Sequence, residues 1–178
     1  MNRTLTAIAV LASAVTAMLA GQPALAPGEL TYEIRLIERP VGFDRVRITK
    51  ESYGHRLESH FDILDRGTPI KVDSTFMAGP DFTPRAAEIV GKTYRFVNVD
   101  LSVLIENGRA SIRHRGQTSA VQAVGPFFIA RGYAPLAARG WLINYWESLE
   151  RPQTIRALPE DANDAIRIAF RGEDRVTA

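Results

Sequence analysis

Cysteine is absent from the 178-residue sequence, which excludes both a disulfide framework and a lipid-modified cysteine behind an export signal. Nor does charge of one sign dominate: 22 basic residues stand against 20 acidic ones, interspersed rather than clustered. A mixed, solvated surface follows, without the basic stripe of a nucleic-acid binder. Catalytic signatures are missing too. The helical H-E-x-x-H spacing, the glycine-rich phosphate loop and the G-x-S-x-G elbow do not occur. No comfortable membrane span is present, because the apolar run of residues 5–20 is Ala-rich and short of the about 20 strongly apolar residues that crossing requires.

What that run does match is an export signal. Met1-Asn2-Arg3 supplies the positive start, and Gln22-Pro23-Ala24-Leu25-Ala26 a small-residue exit. Residues 1–26 are therefore expected to act as a signal peptide and residues 27–178 to form one domain. Cleavage after Ala26 would leave Pro27 at the new N-terminus, a poor protease substrate, so Ala20 and Ala24 compete as cleavage points. If the segment is not cut it is the chain's only membrane contact. An exported chain without cysteine suits a bacterial periplasm, and the expected location is periplasmic or secreted.

The remainder reads mainly as strands, because apolar residues recur at every second position. Tyr32, Ile34 and Leu36 share a face against Glu33 and Arg35. Leu57, Phe61 and Ile63 oppose Glu58, His60 and Asp62; Ile70, Val72, Ser74 and Phe76 oppose Lys71, Asp73 and Thr75. Tyr94 and Phe96 alternate with Arg95 and Val97, and near the end Ile166, Ile168 and Phe170 oppose Arg167 and Arg171. Such alternation predicts antiparallel strands with one buried and one wet face, and argues against parallel ones. Asn107-Gly108 is a hairpin signal that sets Glu106 against Arg109, Ile105 against Ala110, Val103 against Ile112 and Leu101 against His114. Asp65-Arg66-Gly67 marks a second hairpin and Tyr53-Gly54 a third.

One stretch, 126–149, departs from this pattern. Pro126-Phe127-Phe128-Ile129-Ala130 leads in, and Pro135 suits the first residue of a helix. Ala138, Trp141, Leu142, Tyr145, Trp146 and Leu149 then fall on one helical face, and Pro152 ends the segment. The expected fold is mainly β (α+β): a curved antiparallel β-meander with one inserted aromatic-rich helix packed on its apolar face.

Candidate chemistry is sparse. His55 is expected in a turn, His60 on a wet strand face and His114 at the end of an apolar row, so the three do not converge as a metal site requires. Glu58 and Asp62 flank His60, an arrangement that serves either an acid–base cluster or a plain solvated face. Glu160-Asp161-Ala162-Asn163-Asp164 lacks the alternate ligands and Gly of a calcium loop and reads as a turn. The aromatic set Phe127, Phe128, Tyr133, Trp141, Tyr145 and Trp146 has two uses: core packing, or the lining of an apolar cleft between sheet and helix. No catalytic, metal-binding or cofactor-binding residue is assigned.

Several short motifs carry a resemblance. Gly132-Tyr133-Ala134-Pro135, Asn144-Tyr145-Trp146, Leu158-Pro159, the run 166–170 and Arg171-Gly172-Glu173-Asp174, with Tyr32-Glu33-Ile34, Val41-Gly42 and the Asp65-Arg66-Gly67 hairpin, resemble the N-terminal β-domain of exported bacterial amidohydrolases. The likeness covers residues 32–174. It implies an accessory domain followed by a metal-dependent (β/α) barrel, whose H-x-H pair and catalytic aspartate have no counterpart here. The chain is also similar to periplasmic domains built on a curved sheet. Two expectations stand: a non-catalytic accessory domain whose partner is a C-terminal catalytic domain of the same polypeptide, or a stand-alone periplasmic module binding a lipid or other apolar molecule.

Overall fold

The computed structural model describes residues 27–93, 97–130, 134–159 and 165–169. The expected export segment, Tyr94 and Phe96, Tyr133, the acidic turn at 160–164 and the run 170–178 lie outside the described residues.

Eight strands follow one another as hairpins: β1 (Gly28–Leu36), β2 (Arg39–Glu51), β3 (Gly54–Asp65), β4 (Thr68–Ala78), β5 (Pro84–Thr93), β6 (Val97–Glu106), β7 (Arg109–His114) and β8 (Gln117–Gln122). They pair in sequence order, all antiparallel, so β1 and β8 are the edges of one eight-stranded sheet. The meander is the expected one, and the turn chemistry explains it. Asn107 (φ 50°) and Gly108 (φ 71°) both occupy the left-handed region that a tight hairpin of right-twisted strands requires. The register they set pairs Glu106 with Arg109, Ile105 with Ala110, Val103 with Ile112 and Leu101 with His114, as the dipeptide predicts. Arg66-Gly67 turns β3 into β4 in the same way.

Alternation then sorts the side chains. Val46, Ile48, Leu57, Val72, Phe76, Ile89, Leu101, Val103 and Ile112 are buried on one face, while Glu58, His60, Asp73 and Thr75 belong to the other. The Tyr53-Gly54 hairpin is formed, with Glu51 paired to Gly54, but the extent of the strand 39–51 and the strand 84–93 were not anticipated. Both contain close-approach or bulge features, with a register shift beside Pro84 and a glycine at 42 and 91, and these interrupt the two-residue period that makes a strand legible.

The apolar face is closed by a second layer. The single helix among the described residues, α1 (Leu136–Ser148), buries Ala137, Ala138, Trp141, Tyr145 and Trp146. Leu142 and Leu149 are half-buried at its margin. Pro135 has ψ 153° and is the residue before the helix, a correction of the expectation that it is the first helical residue; its extended ψ keeps it out of the helical turn while its missing N–H remains harmless. Beside α1 lies a small sheet in the order β11 (Ala165–Arg167), β10 (Thr154–Leu158), β9 (Phe127–Ile129). β9 runs parallel to β10, against the expectation of antiparallel pairing only. Its three residues are all buried, and a strand apolar on both faces is the signature of parallel pairing.

A seam joins the layers. His55 is not in a turn, as expected, but is the second residue of β3. Its ring stacks on Phe82 at 4.4 Å between centroids, and both rings meet Trp141 edge-on at 6.0 Å. Gly54, just before His55, touches the opposite strand so closely that an added Cβ would lie 2.1 Å from the Ala78 carbonyl oxygen. The β4–β5 connection reaches α1 as well, since the Ser148 hydroxyl donates to the Asp81 carbonyl at 3.2 Å.

Candidate functional site

On the wet face, β1 to β5 carry two cross-strand rows. One runs Glu29, Arg47, Glu58, Thr75, Glu88; the next runs Thr31, Arg45, His60, Asp73, Val90. Their side chains wall an open groove of about 410 Å³. The register alone produces this: five paired strands in phase put every second residue on one surface, directly opposite its neighbours.

The charges of the wet face are held mostly in pairs. Arg47 donates from Nε and Nη2 to Glu29 Oε1 at 2.9 and 2.6 Å. Arg56 donates to Glu58 Oε1 at 3.1 and 2.7 Å. That hydrogen bond from Arg56 to Glu58 is the main reason the guanidinium's pKa is raised; partial burial opposes it and the Glu58 charge adds to it. His60 Nδ1 lies 2.6 Å from Asp73 Oδ1, and Lys71 Nζ 2.9 Å from Asp62 Oδ2. Glu58 and Asp62, the two carboxylates flanking His60 in sequence, are thus each committed to a different cation, and His60 is held by a third acid from the neighbouring strand. The alternative of a joint acid–base cluster is not what the strands assemble. Exposed pairs of this kind contribute about 0–1 kcal/mol each; their effect is to fix the pattern of charge presented. Arg45 differs. Its guanidinium lies 4.2 Å above the Phe43 ring, and among the described residues neither it nor Glu88 forms an ion pair.

Beneath the sheet the polar content is small. Asp44, 1 % exposed, accepts from the Ser59 hydroxyl at 2.6 Å. His55, His60 and His114 lie on separate parts of the sheet, and no group of three or more metal-ligating side chains occurs among the described residues.

The residues expected to line an apolar cleft are brought together, and five of the six are core. Phe127, Phe128, Trp141, Tyr145 and Trp146 are all buried; Tyr133 lies outside the described residues. Phe128 and Tyr145 face each other at 6.2 Å, and the Trp146 indole donates to the Pro152 carbonyl at 2.8 Å. Burial raises the pKa of the Tyr145 phenol, opposed by a hydrogen bond with the Phe127 backbone and reinforced by the charge of Asp81. Among the described residues two donors on this helix meet no acceptor: Trp141 Nε1 and Asn144 Nδ2 are buried without a hydrogen-bond partner. The groove itself was not anticipated. Its signal, the in-phase alternation of β2 to β5, was partly in the sequence, but only the strand order places the rows side by side.

Comparison with protein-family models, with curated proteins and with solved structures finds no match to this chain. No helix among the described residues is long and apolar enough to cross a membrane.

Proposed function

We propose that this chain is a non-catalytic accessory β-domain of an exported, amidohydrolase-like hydrolase, and that its sheet presents a recognition surface rather than a reacting one. The observation carrying this reading is the state of the wet face. Most of its acids and bases are tied into separate cross-strand and same-strand pairs, a charge pattern suited to recognition, where general acid–base work requires groups converging on one substrate atom. The hydrolase assignment rests on the motif resemblance alone. Two experiments test the reading. The purified chain, assayed against amide and ester substrates with and without added zinc, is expected to show no turnover above background; turnover overturns it. The coding frame after the Ala178 codon is expected to run into a histidine-bearing barrel pattern, and a stop codon there removes the hydrolase part.

One observation favours a second reading, a periplasmic module for an apolar ligand. Trp141 Nε1 and Asn144 Nδ2, one helical turn apart, are buried donors without acceptors among the described residues, and a buried donor left unpaired costs about 1–3 kcal/mol. A fatty acid or lipid whose oxygen accepted from Trp141 would relieve that cost. Its test is tryptophan fluorescence on titration with fatty acids: a saturable shift supports this module, and an unchanged spectrum with no lipid in native mass spectra eliminates it.

A further inference from the structure

The two edges of the large sheet are built differently. β1 carries Glu29, Glu33 and Arg35 and breaks register between Ile34 and Arg35; charges and bulges are the usual means of keeping an edge from pairing with another chain. β8 has neither. Its sequence, Gln117-Thr118-Ser119-Ala120-Val121-Gln122, contains no charge and no proline, and every residue except Val121 is exposed.

The direction of its free backbone groups follows from the β7–β8 hairpin. The two-residue turn Arg115-Gly116 has φ 51° and 74° and closes His114 against Gln117. In an antiparallel ladder, hydrogen-bonded pairs alternate with non-bonded ones. Gln117, Ser119 and Val121 therefore bond to β7, a phase that continues where the Ala123 N–H donates to the Gly108 carbonyl at 2.8 Å. Thr118, Ala120 and Gln122 turn their N–H and C=O groups away from the sheet. The outward Gln122 carbonyl already accepts from Arg156 Nη1 at 3.3 Å. Among the described residues no strand pairs with β8 on this side, and Thr118 and Ala120 carry the open edge.

We propose that β8 is a dimerisation edge, on which a second copy of this chain pairs its own β8 antiparallel about a two-fold axis at Ser119. This register sets Thr118 of each copy against Ala120 of the other, so that the outward groups of these two residues satisfy one another. It sets Gln117 against Val121 and Ser119 against itself. No charge meets a like charge along the strand. The antiparallel sense also sends the two arginine-bearing hairpin tips, Arg113 and Arg115, to opposite ends, where a parallel pairing would place them side by side. Charge compatibility with itself, beside a guarded opposite edge, is what selects a second copy as the occupant.

The test is sedimentation of the chain and its variants across a concentration series. The native chain is expected to form a dimer. Ala120→Pro removes only an outward N–H, the one place where an edge strand tolerates proline, and is expected to weaken the dimer by roughly 30-fold or more through two lost hydrogen bonds. Ser119→Lys, which places two ammonium groups together on the axis, is expected to give a monomer even if the proline variant folds poorly. Ser119→Cys supplies a direct readout in a chain with no other cysteine. Opposed Cα atoms of a non-bonded pair lie about 4.5 Å apart, inside the disulfide range of about 4.4–6.8 Å. This variant is expected to cross-link on mild oxidation, while Thr31→Cys on β1 stays reduced. A native chain that remains monomeric, a dimer that survives both Ala120→Pro and Ser119→Lys, or equal cross-linking at 31 and 119 overturns the proposal.

Discussion

The large sheet and the small layer that covers it arise from different kinds of information. Every pairing in the eight-stranded sheet joins consecutive strands, so each register is set by a nearby turn and by alternation along two short segments. The small layer is assembled from distant pieces: β9 meets β10 across the helix, and α1 meets β3 through the His55, Phe82 and Trp141 rings. Local pairings need little loop closure and carry their own signals, whereas non-local ones depend on shape-matched surfaces formed only once both parts exist. The large sheet is accordingly expected to keep its hairpins when the covering layer is damaged, and the covering layer to fail first.

Removing the ring at the centre of the seam is the strongest way to break the comparison. Trp141→Ala should destabilise the protein by about 3–5 kcal/mol, the usual cost of emptying a buried aromatic site. Thermal unfolding followed by near-ultraviolet and far-ultraviolet circular dichroism should show the aromatic signal lost before the β signal. Coincident transitions would mean that the two layers are one cooperative unit. The opposite side of the seam is tested at Gly54, where an added methyl group meets backbone at Ala78 and Gly79. Gly54→Ala should cost about 2 kcal/mol, in the range of enforced backbone strain, read as a lower denaturant midpoint.

Acid tests the connection that ties β4 and β5 to the helix. Burial acts to raise the Asp81 carboxyl, but hydrogen bonds from the Thr83 hydroxyl and backbone, with its own backbone and the Arg85 charge, outweigh this and lower its pKa below 3.8. A folded-state pKa depressed in this way contributes stability above the unfolded value, and that contribution is lost as pH falls from about 4 through the lower folded value. Unfolding free energy should therefore drop across that window, and Thr83→Ala should flatten the drop. The smallest effect belongs to the wet face. Arg47→Ala breaks the exposed pair with Glu29 and should change stability by about 0–1 kcal/mol, measured by urea denaturation; a larger loss would mean that the groove's charges hold the sheet together.

How much was readable in advance follows from the same division. The register around Asn107-Gly108 was legible to the residue, because both positions must accept positive φ and the flanking pairs match in polarity. The buried face of α1 was legible from Trp141, Tyr145 and Trp146 at helical spacing. The extent of the strand 39–51 and the strand 84–93 were not, since their glycines and a bulge obscure the period. Neither was the parallel partner of Phe127, whose three-residue strand is too short to show a period. The groove was half legible. Glu58, His60, Asp73 and Thr75 could be assigned to a wet face, but not the identity of the acid that holds His60, because Asp73 stands beside it only through the β3–β4 register.

The sequence by itself determined the class of fold, the hairpin order and the polarity of each face, since these depend on local backbone preference and on a two-residue period that any antiparallel pairing must obey. Only the tertiary structure decided that the aromatic residues described on and before the helix are core, that most charges of the wet face are divided into separate pairs, and that one edge of the described sheet carries charge and a register break while the other carries neither. Those outcomes depend on which distant segments lie side by side, and a close-packed interior admits a side chain by the shape of all its neighbours together.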